Sequence, residues 1–114
     1  MIYGDGNQTR DYIYVEDVVK ANVLALEGKE GIYNIGTGKE TSVNELIEVF
    51  SKVLGREIKP EYAPPRKGEV HRISLDADMA KRELSFVPKY SLPEGIRETI
   101  EWYASTHRHN EPKP

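Results

Sequence analysis

An amphipathic helix over residues 42–54 is the strongest local pattern in this chain of 114 residues. Its apolar side chains recur every three or four positions and so share one face: Val43, Leu46, Ile47, Phe50, Val53 and Leu54. Ser42 and Glu45 form a capping box before that face, and Gly55 stands where a left-handed C-cap belongs. A helix with one apolar face must bury it, so this segment predicts a packed globular domain.

Three further helices are predicted, at residues 17–27, at residues 76–84 and from residue 91 onward. Short strands are predicted at residues 12–15, 31–35, 58–62 and 72–75. The order indicates a mixed α/β fold, and residues 12–35 have the length of a parallel strand–helix–strand crossover. Parallel strands are normally flanked by partners, and this sequence supplies few, so an incomplete sheet is expected.

The composition excludes several classes of function. A formal net charge of −3 argues against a general nucleic-acid-binding surface, which is normally basic. No apolar run approaches the roughly 20 residues of a membrane-spanning helix. The sequence has no cysteine, and Met1 is followed by Ile-Tyr-Gly-Asp-Gly instead of the basic and apolar regions of a signal peptide. We therefore expect a cytoplasmic protein without disulfides or thiolate metal sites.

Two arginines in loops indicate a phosphate-binding function. Arg10 leaves a polar Gly-Asn-Gln-Thr loop, and Arg66 lies in the stiff loop Pro-Pro-Arg-Lys-Gly-Glu. A guanidinium on a stiff loop presents fixed donors to phosphate oxygens, and two of them can clamp a diphosphate. Glu69 can then accept hydrogen bonds from a ribose diol, and Tyr12 can supply a ring or a hydroxyl. A plainer interpretation is also open: an Arg10–Asp11 surface pair, a solvated loop charge and a half-buried tyrosine.

Other candidate sites carry less weight. The turn Gly36-Thr37-Gly38 looks like a phosphate cradle but lacks the next glycine of a dinucleotide fingerprint, so a plain turn is expected. Glu16 and Asp17 are expected at a helix N-terminus, where negative charge is favoured. The histidines have no ligand spacing, so no metal site is expected at any of the three: His71, His107 and His109.

No catalytic residue can be assigned in this sequence. No tyrosine is followed four positions later by lysine; the nearest pair is Tyr62 and Arg66, and arginine does not lose its proton in proteins. No Gly-x-Gly-x-x-Gly junction and no Ser-His-Asp or paired-carboxylate arrangement is visible. Nothing in these residues activates a nucleophile or holds a hydride carrier, so no cofactor is expected for this chain alone.

Several motifs in series resemble one enzyme family. They are GDGNQTRDYIYVEDVVKANVLAL, GIYNIGTGKETSVNELIEVF, PRKGEV, ISLDADMAKRELSFVP and LPEGIRETIEWY, and together they cover residues 2–103. Their order is similar to that in the C-terminal part of NAD-dependent nucleotide-sugar epimerases and dehydratases, the extended short-chain dehydrogenases/reductases, with UDP-glucose 4-epimerase the nearest type. The resemblance implies an α/β C-terminal lobe with about four helices, short strands and an incomplete Rossmann partner sheet.

The resemblance also implies roles for the candidate residues. Arg10 and Arg66 match positions that contact the nucleotide-sugar diphosphate, Glu69 matches the position that binds the ribose, and Tyr12 lies near the same ligand. The implied ligand is a UDP- or dTDP-sugar. In the intact enzymes NAD takes the hydride while the tyrosine of a Tyr-x-x-x-Lys motif acts as base, and both belong to an N-terminal half whose motifs are not found here. A substrate-binding portion that is catalytically incomplete alone is therefore implied.

An incomplete lobe is expected to expose a sheet edge and apolar helix surface. It should then self-associate as a homo-oligomer or pair with a separately encoded NAD-binding half. Residues 1–105 are expected to form the substrate-binding portion and residues 106–114 a disordered tail. Ser85 stands where the family usually has a glycine, which costs strain if that backbone is left-handed. Two other interpretations stay open: a non-catalytic sugar-nucleotide-binding module, or an inactive oligomerising remnant.

Overall fold

The computed structural model describes residues 1–108, which form four helices and four very short strands. In chain order these are β1 (Ile2–Tyr3), β2 (Thr9–Arg10), α1 (Val15–Glu27), β3 (Thr41–Ser42), α2 (Val43–Leu54), β4 (Tyr62–Ala63), α3 (Asp78–Leu84) and α4 (Leu92–Arg108). β1 pairs with β4 in parallel and β2 pairs with β3 antiparallel, giving two separate two-stranded sheets. α4 extends past the predicted boundary at residue 105, and the rest of the predicted tail, residues 109–114, lies outside the described residues.

All four predicted helices are present, and their ends follow local capping chemistry. The Ser42 hydroxyl accepts a hydrogen bond from the Glu45 amide at 3.1 Å, so Ser42 caps α2. At the start of α4, the Ser91 amide donates to the Glu94 carboxylate and the Glu94 amide donates to the Ser91 hydroxyl, both at 3.3 Å. This exchange is a complete capping box. The prediction of four helices is therefore confirmed.

The predicted strands are mostly wrong. Residues 12–15, 31–35 and 72–75 form no strand in the described structure, and of residues 58–62 only Tyr62 belongs to one. Residues 12–14 lead directly into α1, whose first turn uses the Tyr14 carbonyl as an acceptor. A strand needs a neighbour to complete its hydrogen bonds, and no described segment gives residues 31–35 such a row of partners. The parallel crossover predicted over residues 12–35 does not form.

The apolar core is small. In the described residues, its one cluster of buried residues consists of Ala21, Ala80, Leu84 and Phe86, and four partly buried residues pack against it: Ile13, Leu24, Tyr33 and Ile35. Ile2 and Ile96 are buried outside this cluster. The accessible surface is 8859 Å², whereas a compact monomer of this length exposes about 6,300 Å². The radius of gyration is 17.0 Å, against about 13 Å for a compact domain. Apolar packing is therefore only part of what holds these segments together.

The carboxylate of Asp11 joins three segments that are distant in sequence. It accepts hydrogen bonds from the backbone amides of Thr37 (2.9 and 3.1 Å), Gly38 (2.9 Å) and Leu75 (3.2 Å), and from the Thr37 hydroxyl (2.6 Å). Partial burial raises the pKa of Asp11, but these hydrogen bonds favour the charged form and together bring the pKa below its ordinary value. The plainer interpretation that paired Asp11 with Arg10 is therefore wrong.

Asp17 attaches the start of α1 to the segment before α4. Asp17 is 1% exposed, and its carboxylate accepts hydrogen bonds from the amides of Lys89 (2.9 Å) and Tyr90 (3.1 Å). Glu16 and Asp17 do lie in the first turn of α1, as predicted. A carboxylate this deeply buried needs hydrogen-bond partners, and Asp17 finds them more than 70 residues away along the chain.

Ser85 adopts the left-handed backbone conformation, which is the condition under which strain is expected at this serine. It ends α3 with φ 56° and ψ 29°, and it is the one non-glycine residue with a positive φ in residues 1–108. The Phe86 amide donates to the Ala80 carbonyl at 3.2 Å, which closes the turn around it. The cap geometry is therefore that of a glycine, but the residue is a serine.

Replacing Ser85 with glycine should stabilise the chain by about 0.5–1 kcal/mol, because glycine adopts this conformation without the steric penalty that serine carries. The free energy of unfolding in urea measures the change. Ser105→Gly is the matched control, since Ser105 lies inside the right-handed α4, where glycine should destabilise. A Ser85→Gly variant that is less stable than the wild type would contradict the prediction of backbone strain at Ser85.

Acid should destabilise the chain through Asp11. A carboxylate with a lowered folded-state pKa contributes stability above its unfolded pKa of about 3.9 and loses it as the pH falls through the folded pKa. Asp11→Asn should flatten this acid limb, and it should lower the free energy of unfolding at neutral pH by about 2 kcal/mol, because an amide cannot accept from all these donors.

Urea denaturation at several pH values from about 3 to about 7 measures both effects of Asp11→Asn. Glu30→Gln, in the exposed turn after α1, controls for the loss of a negative charge and should keep the wild-type acid limb. If Asp11→Asn and the wild type lose stability in parallel below about pH 4, another carboxylate dominates the acid response.

Candidate functional site

Arg10 lies on β2 and turns towards the loop that carries Arg66. Its Nη2 atom is 3.4 Å from Glu69 Oε1, and its Nη1 atom donates to the Thr9 carbonyl at 2.7 Å. The side chains of Arg10 and Glu69 are 27% and 32% exposed, so solvent screens part of their attraction. Two of the four predicted site residues are therefore in direct contact, although they are 59 positions apart.

Arg66 stacks on an aromatic ring. Its guanidinium carbon lies 3.9 Å from the ring centroid of Tyr3, a cation–π contact. Tyr3 belongs to β1 and Arg66 follows β4 by three residues, so the parallel pairing of Ile2 with Tyr62 and of Tyr3 with Ala63 brings the two side chains together. The loop after β4 is thereby fixed beside β1.

A pocket of about 530 Å³ opens between β1 and this loop. Arg66 and Glu69 both line it, and Arg10 reaches its edge through the ion pair with Glu69. The other lining residues are Tyr3, Gly4, Asp5, Gln8, Ala63, Pro65, Val70 and His71. The pocket therefore combines an aromatic ring, a guanidinium and carboxylates, which suits a ligand with a ring, phosphates and hydroxyl groups.

Backbone geometry shapes the approach to this pocket. Gly6 has a φ of 79°, and a Cβ built on it would lie 2.2 Å from Asn44 Oδ1. Asn44 Nδ2 donates to the Asp5 carbonyl at 3.1 Å, and Asn44 Oδ1 accepts from the Tyr62 hydroxyl at 2.9 Å. The first turn of α2 therefore anchors both the loop after β1 and β4, and only glycine fits at position 6.

Tyr12 lies elsewhere. It lines a second, open groove of about 1600 Å³ between α2, α4 and the residues before α1. The same groove contains Tyr14 and Tyr90, whose ring centroids are 4.6 Å apart. The Tyr90 hydroxyl donates to Glu16, and this bond, with burial and nearby negative charge, raises the pKa of Tyr90 to about 12. The structure thus brings together Arg10, Arg66 and Glu69 but not Tyr12.

The glycine-rich turn at residues 36–38 does not fit a cofactor phosphate. The amides of Thr37 and Gly38, which a phosphate would need, both donate to Asp11. Leu75 Cβ would also lie 2.9 Å from a Cβ at Gly36, so its side chain closes the turn. The chain's own contacts therefore occupy this turn, and these residues do not fit the pyrophosphate of NAD.

Neither a metal-binding cluster nor a membrane-spanning helix is present in the part of the chain that the structure describes. Among the described side chains, those of residues 1–106, no group of three or more His, Cys, Asp or Glu could hold a metal ion. The side chains of His107 and His109 lie outside that range. None of the described helices is long and apolar enough to cross a membrane.

Sequence reasoning missed Tyr3 and Gln8, and it considered His71 only as a metal ligand. Tyr3 enters the pocket because β1 pairs with β4, which is a contact between segments 60 residues apart. Gln8 is 9% exposed and donates to the Tyr3 carbonyl at 2.9 Å, so it holds the pocket's aromatic residue in place. Local patterns cannot reveal residues whose place depends on such long-range pairing.

Comparison with known proteins identifies relatives over nearly the whole chain. A family model described as GDP-mannose 4,6 dehydratase matches residues 1–99. A relative from Methanocaldococcus jannaschii is 49% identical over 108 residues, which cover 95% of this chain and 35% of the relative. A UDP-glucose 4-epimerase from Mycolicibacterium smegmatis is 42% identical, covering 90% of this chain and 33% of the relative. The chain spans about a third of the length of the curated relatives it matches.

Solved structures of UDP-glucose 4-epimerases are similar to this chain in backbone and in sequence. A UDP-glucose 4-epimerase from Thermotoga maritima, solved with UDP-glucose, superposes with a TM-score of 0.88 at 46% identity, covering 93% of this chain and 35% of that one. A UDP-glucose-4-epimerase from Stenotrophomonas maltophila, with bound NAD and formylated UDP-arabinopyranose, gives a TM-score of 0.88 at 33% identity over 95% of this chain and 35% of that one. From the family model over residues 1–99 and these relatives, we conclude that the chain belongs to the family of NAD-dependent nucleotide-sugar epimerases and dehydratases.

Proposed function

We propose that this chain is the nucleotide-sugar-binding portion of an NAD-dependent UDP-sugar 4-epimerase. The observation that carries the proposal is the pocket beside β1, where Arg66 and Glu69 lie together and Arg10 is ion-paired to Glu69. The similarity to UDP-glucose 4-epimerases supports the choice of a 4-epimerase over a dehydratase, and of UDP over dTDP.

The diphosphate is proposed to bind between Arg10 and Arg66. One guanidinium is paired with Glu69, and the other lies on the Tyr3 ring. A diphosphate carries two negative charges and offers several oxygens, so it can replace both contacts with charge-assisted hydrogen bonds. Glu69 is then free to accept hydrogen bonds from the ribose hydroxyls.

The two ends of the ligand are proposed to lie on different surfaces. Tyr3 lines the pocket and can pack against the base, because an aromatic ring stacks on any planar base. Tyr12 lines the neighbouring groove, so it would contact only a part of the ligand that leaves the pocket, such as the sugar. In the intact enzyme NAD would accept the hydride, and this chain's residues would bind and orient the nucleotide. Because the chain has no Tyr-x-x-x-Lys motif, we expect no turnover by the chain alone.

UDP-glucose should bind to the chain, and Arg10→Ala or Arg66→Ala should each weaken binding about 10- to 100-fold, because each removes a charge-assisted hydrogen-bonding group from the diphosphate. Titration calorimetry measures the affinities. Arg56→Ala is the matched control: it removes an exposed arginine just after α2, outside the pocket, and should leave the affinity unchanged.

Three outcomes separate the candidate functions. Binding that both pocket variants weaken supports the proposal. No heat at millimolar UDP-glucose would leave only the inactive remnant. Binding with turnover by the chain alone, or NAD binding without UDP-sugar binding, would contradict the assignment.

The α1 stripe is proposed to bind the NAD-binding portion of the enzyme. We use this name for Val15, Val19, Val23 and Leu26, which recur at helical spacing and are 54–84% exposed. Ile32, in the unpaired segment after α1, is 93% exposed. Apolar side chains exposed in a row mark an interface, and about two thirds of the length of the curated relatives lies outside the part matched by this chain.

Val19→Glu/Val23→Glu should abolish binding to the unmatched two thirds of the Mycolicibacterium smegmatis relative, because it places two charges inside an apolar contact. Co-expression followed by affinity purification and light scattering measures the complex. Val87→Glu is the control, because Val87 is as exposed as Val19, at 54%, but lies off the stripe. If the wild type forms only homo-oligomers that the double variant dissolves, a second copy covers the stripe and the proposed partner is wrong.

A further inference from the structure

Glu40 holds two segments together beside the pocket. Its Oε2 atom accepts from Arg72 Nη2 at 2.6 Å, and its Oε1 atom accepts from Arg72 Nε at 2.9 Å and from the Thr9 hydroxyl at 3.1 Å. The Arg72 contact is bidentate, which fixes direction as well as distance. The hydrogen bonds from Arg72 lower the pKa of Glu40, so both partners stay charged at neutral pH. We call Thr9, Glu40 and Arg72 the polar clasp.

The backbone around the polar clasp explains what it holds. The Thr9 amide donates to the His71 carbonyl at 2.8 Å, and the Ile73 amide donates to the Thr9 carbonyl at 3.2 Å. These two bonds attach residues 71–73 to β2, but the attachment is too short to form a strand. Glu40 immediately precedes β3, which pairs with β2, so the clasp ties residues 71–73 to both strands of this sheet.

The loop that carries Arg66 and Glu69, residues 64–70, directly precedes this attachment. We call it the nucleotide-binding loop. Glu69 lies three residues before Arg72, and Arg66 lies six residues before it. Between them, Gly68 has a φ of 76° and no atom within 4 Å of its Cβ position, so the backbone is unpacked at this residue. The backbone of the loop is held at its two ends, by Tyr62–Ala63 of β4 and by the polar clasp, while Arg66 and Glu69 add side-chain contacts to Tyr3 and Arg10.

We propose that the polar clasp positions the nucleotide-binding loop, so that Glu69 and Arg66 face Arg10. None of the three clasp side chains lines the pocket, and Glu40 lines the neighbouring groove. The positioning role rests on the function proposed for the pocket. Arg72 is 70% exposed, and an exposed ion pair adds little to global stability. Its bidentate geometry nevertheless fixes the orientation of the chain beside it. Arg72 and Glu40 are positioning residues.

Arg72→Ala and Glu40→Gln should each weaken UDP-glucose binding about three- to tenfold, because the loop must then be ordered by the ligand. The midpoint of urea denaturation should change little. The charge-swapped variant Glu40→Arg/Arg72→Glu should recover part of the affinity, which a general structural role for either residue would not predict. Lys29→Ala is the control, since it removes another exposed ion-paired cation, 3.8 Å from Glu83 and away from the pocket.

Hydrogen exchange of residues 64–71 gives a readout that needs no ligand. Arg72→Ala should speed exchange in this loop, whereas Lys29→Ala should not. Unchanged exchange, or unchanged affinity in Arg72→Ala, would overturn the positioning role. If Arg72→Ala speeds exchange but the wild type binds no UDP-glucose, the proposed function is wrong and the role of the clasp in holding the loop stands. Arg66→Ala should also cost less affinity in the Arg72→Ala background, because a loop already displaced makes less use of Arg66.

Discussion

The fold depends first on one partly buried charge, the carboxylate of Asp11. It follows β2 directly and accepts hydrogen bonds from residues 26, 27 and 64 positions further along the chain. Without those donors, a charge in this position would be costly, so the three segments must meet if Asp11 is to remain ionised. The same arrangement leaves Arg10 without its sequence neighbour as a partner and directs it to Glu69. The hydrogen bonds that Asp11 requires thus determine both which loops meet and which carboxylate Arg10 contacts.

Asp17, in the first turn of α1, also holds distant backbone amides with a carboxylate. Its buried carboxylate accepts from two successive amides before α4, as Asp11 accepts from successive amides before β3. Carboxylates that bind backbone amides form strong, directional contacts because one partner is charged. The described residues bury only six apolar side chains, so such contacts supply much of the stability that packing supplies in larger domains.

The sequence was informative where the physics is local. The helices and the caps at Ser42 and Ser91 depend on residues close together in sequence, so they were predictable. Gly55 ends α2 with a φ of 70°, which is the left-handed conformation expected of a C-terminal glycine. The strands were not predictable, because β-branched residues at 31–35 need a neighbouring strand that the described chain does not provide. In the site, Arg66 and Glu69 stood out by their loop chemistry, whereas Tyr3 enters only through the β1–β4 pairing.

The two kinds of contact divide the molecule by function. The pocket is built by polar contacts within the chain: Asp11, the Asn44 side chain and the polar clasp all act on the segments that carry Arg10, Arg66 and Glu69. Among the described helices, α1 carries the most exposed large apolar side chains, and α1 contributes none of the pocket's lining. Polar contacts of this kind need precise geometry but little buried area, so they can order a binding loop before apolar surface is covered. The geometry of the pocket proposed for the nucleotide is therefore expected to form without a partner, while covering the α1 stripe would add stability without rebuilding the pocket.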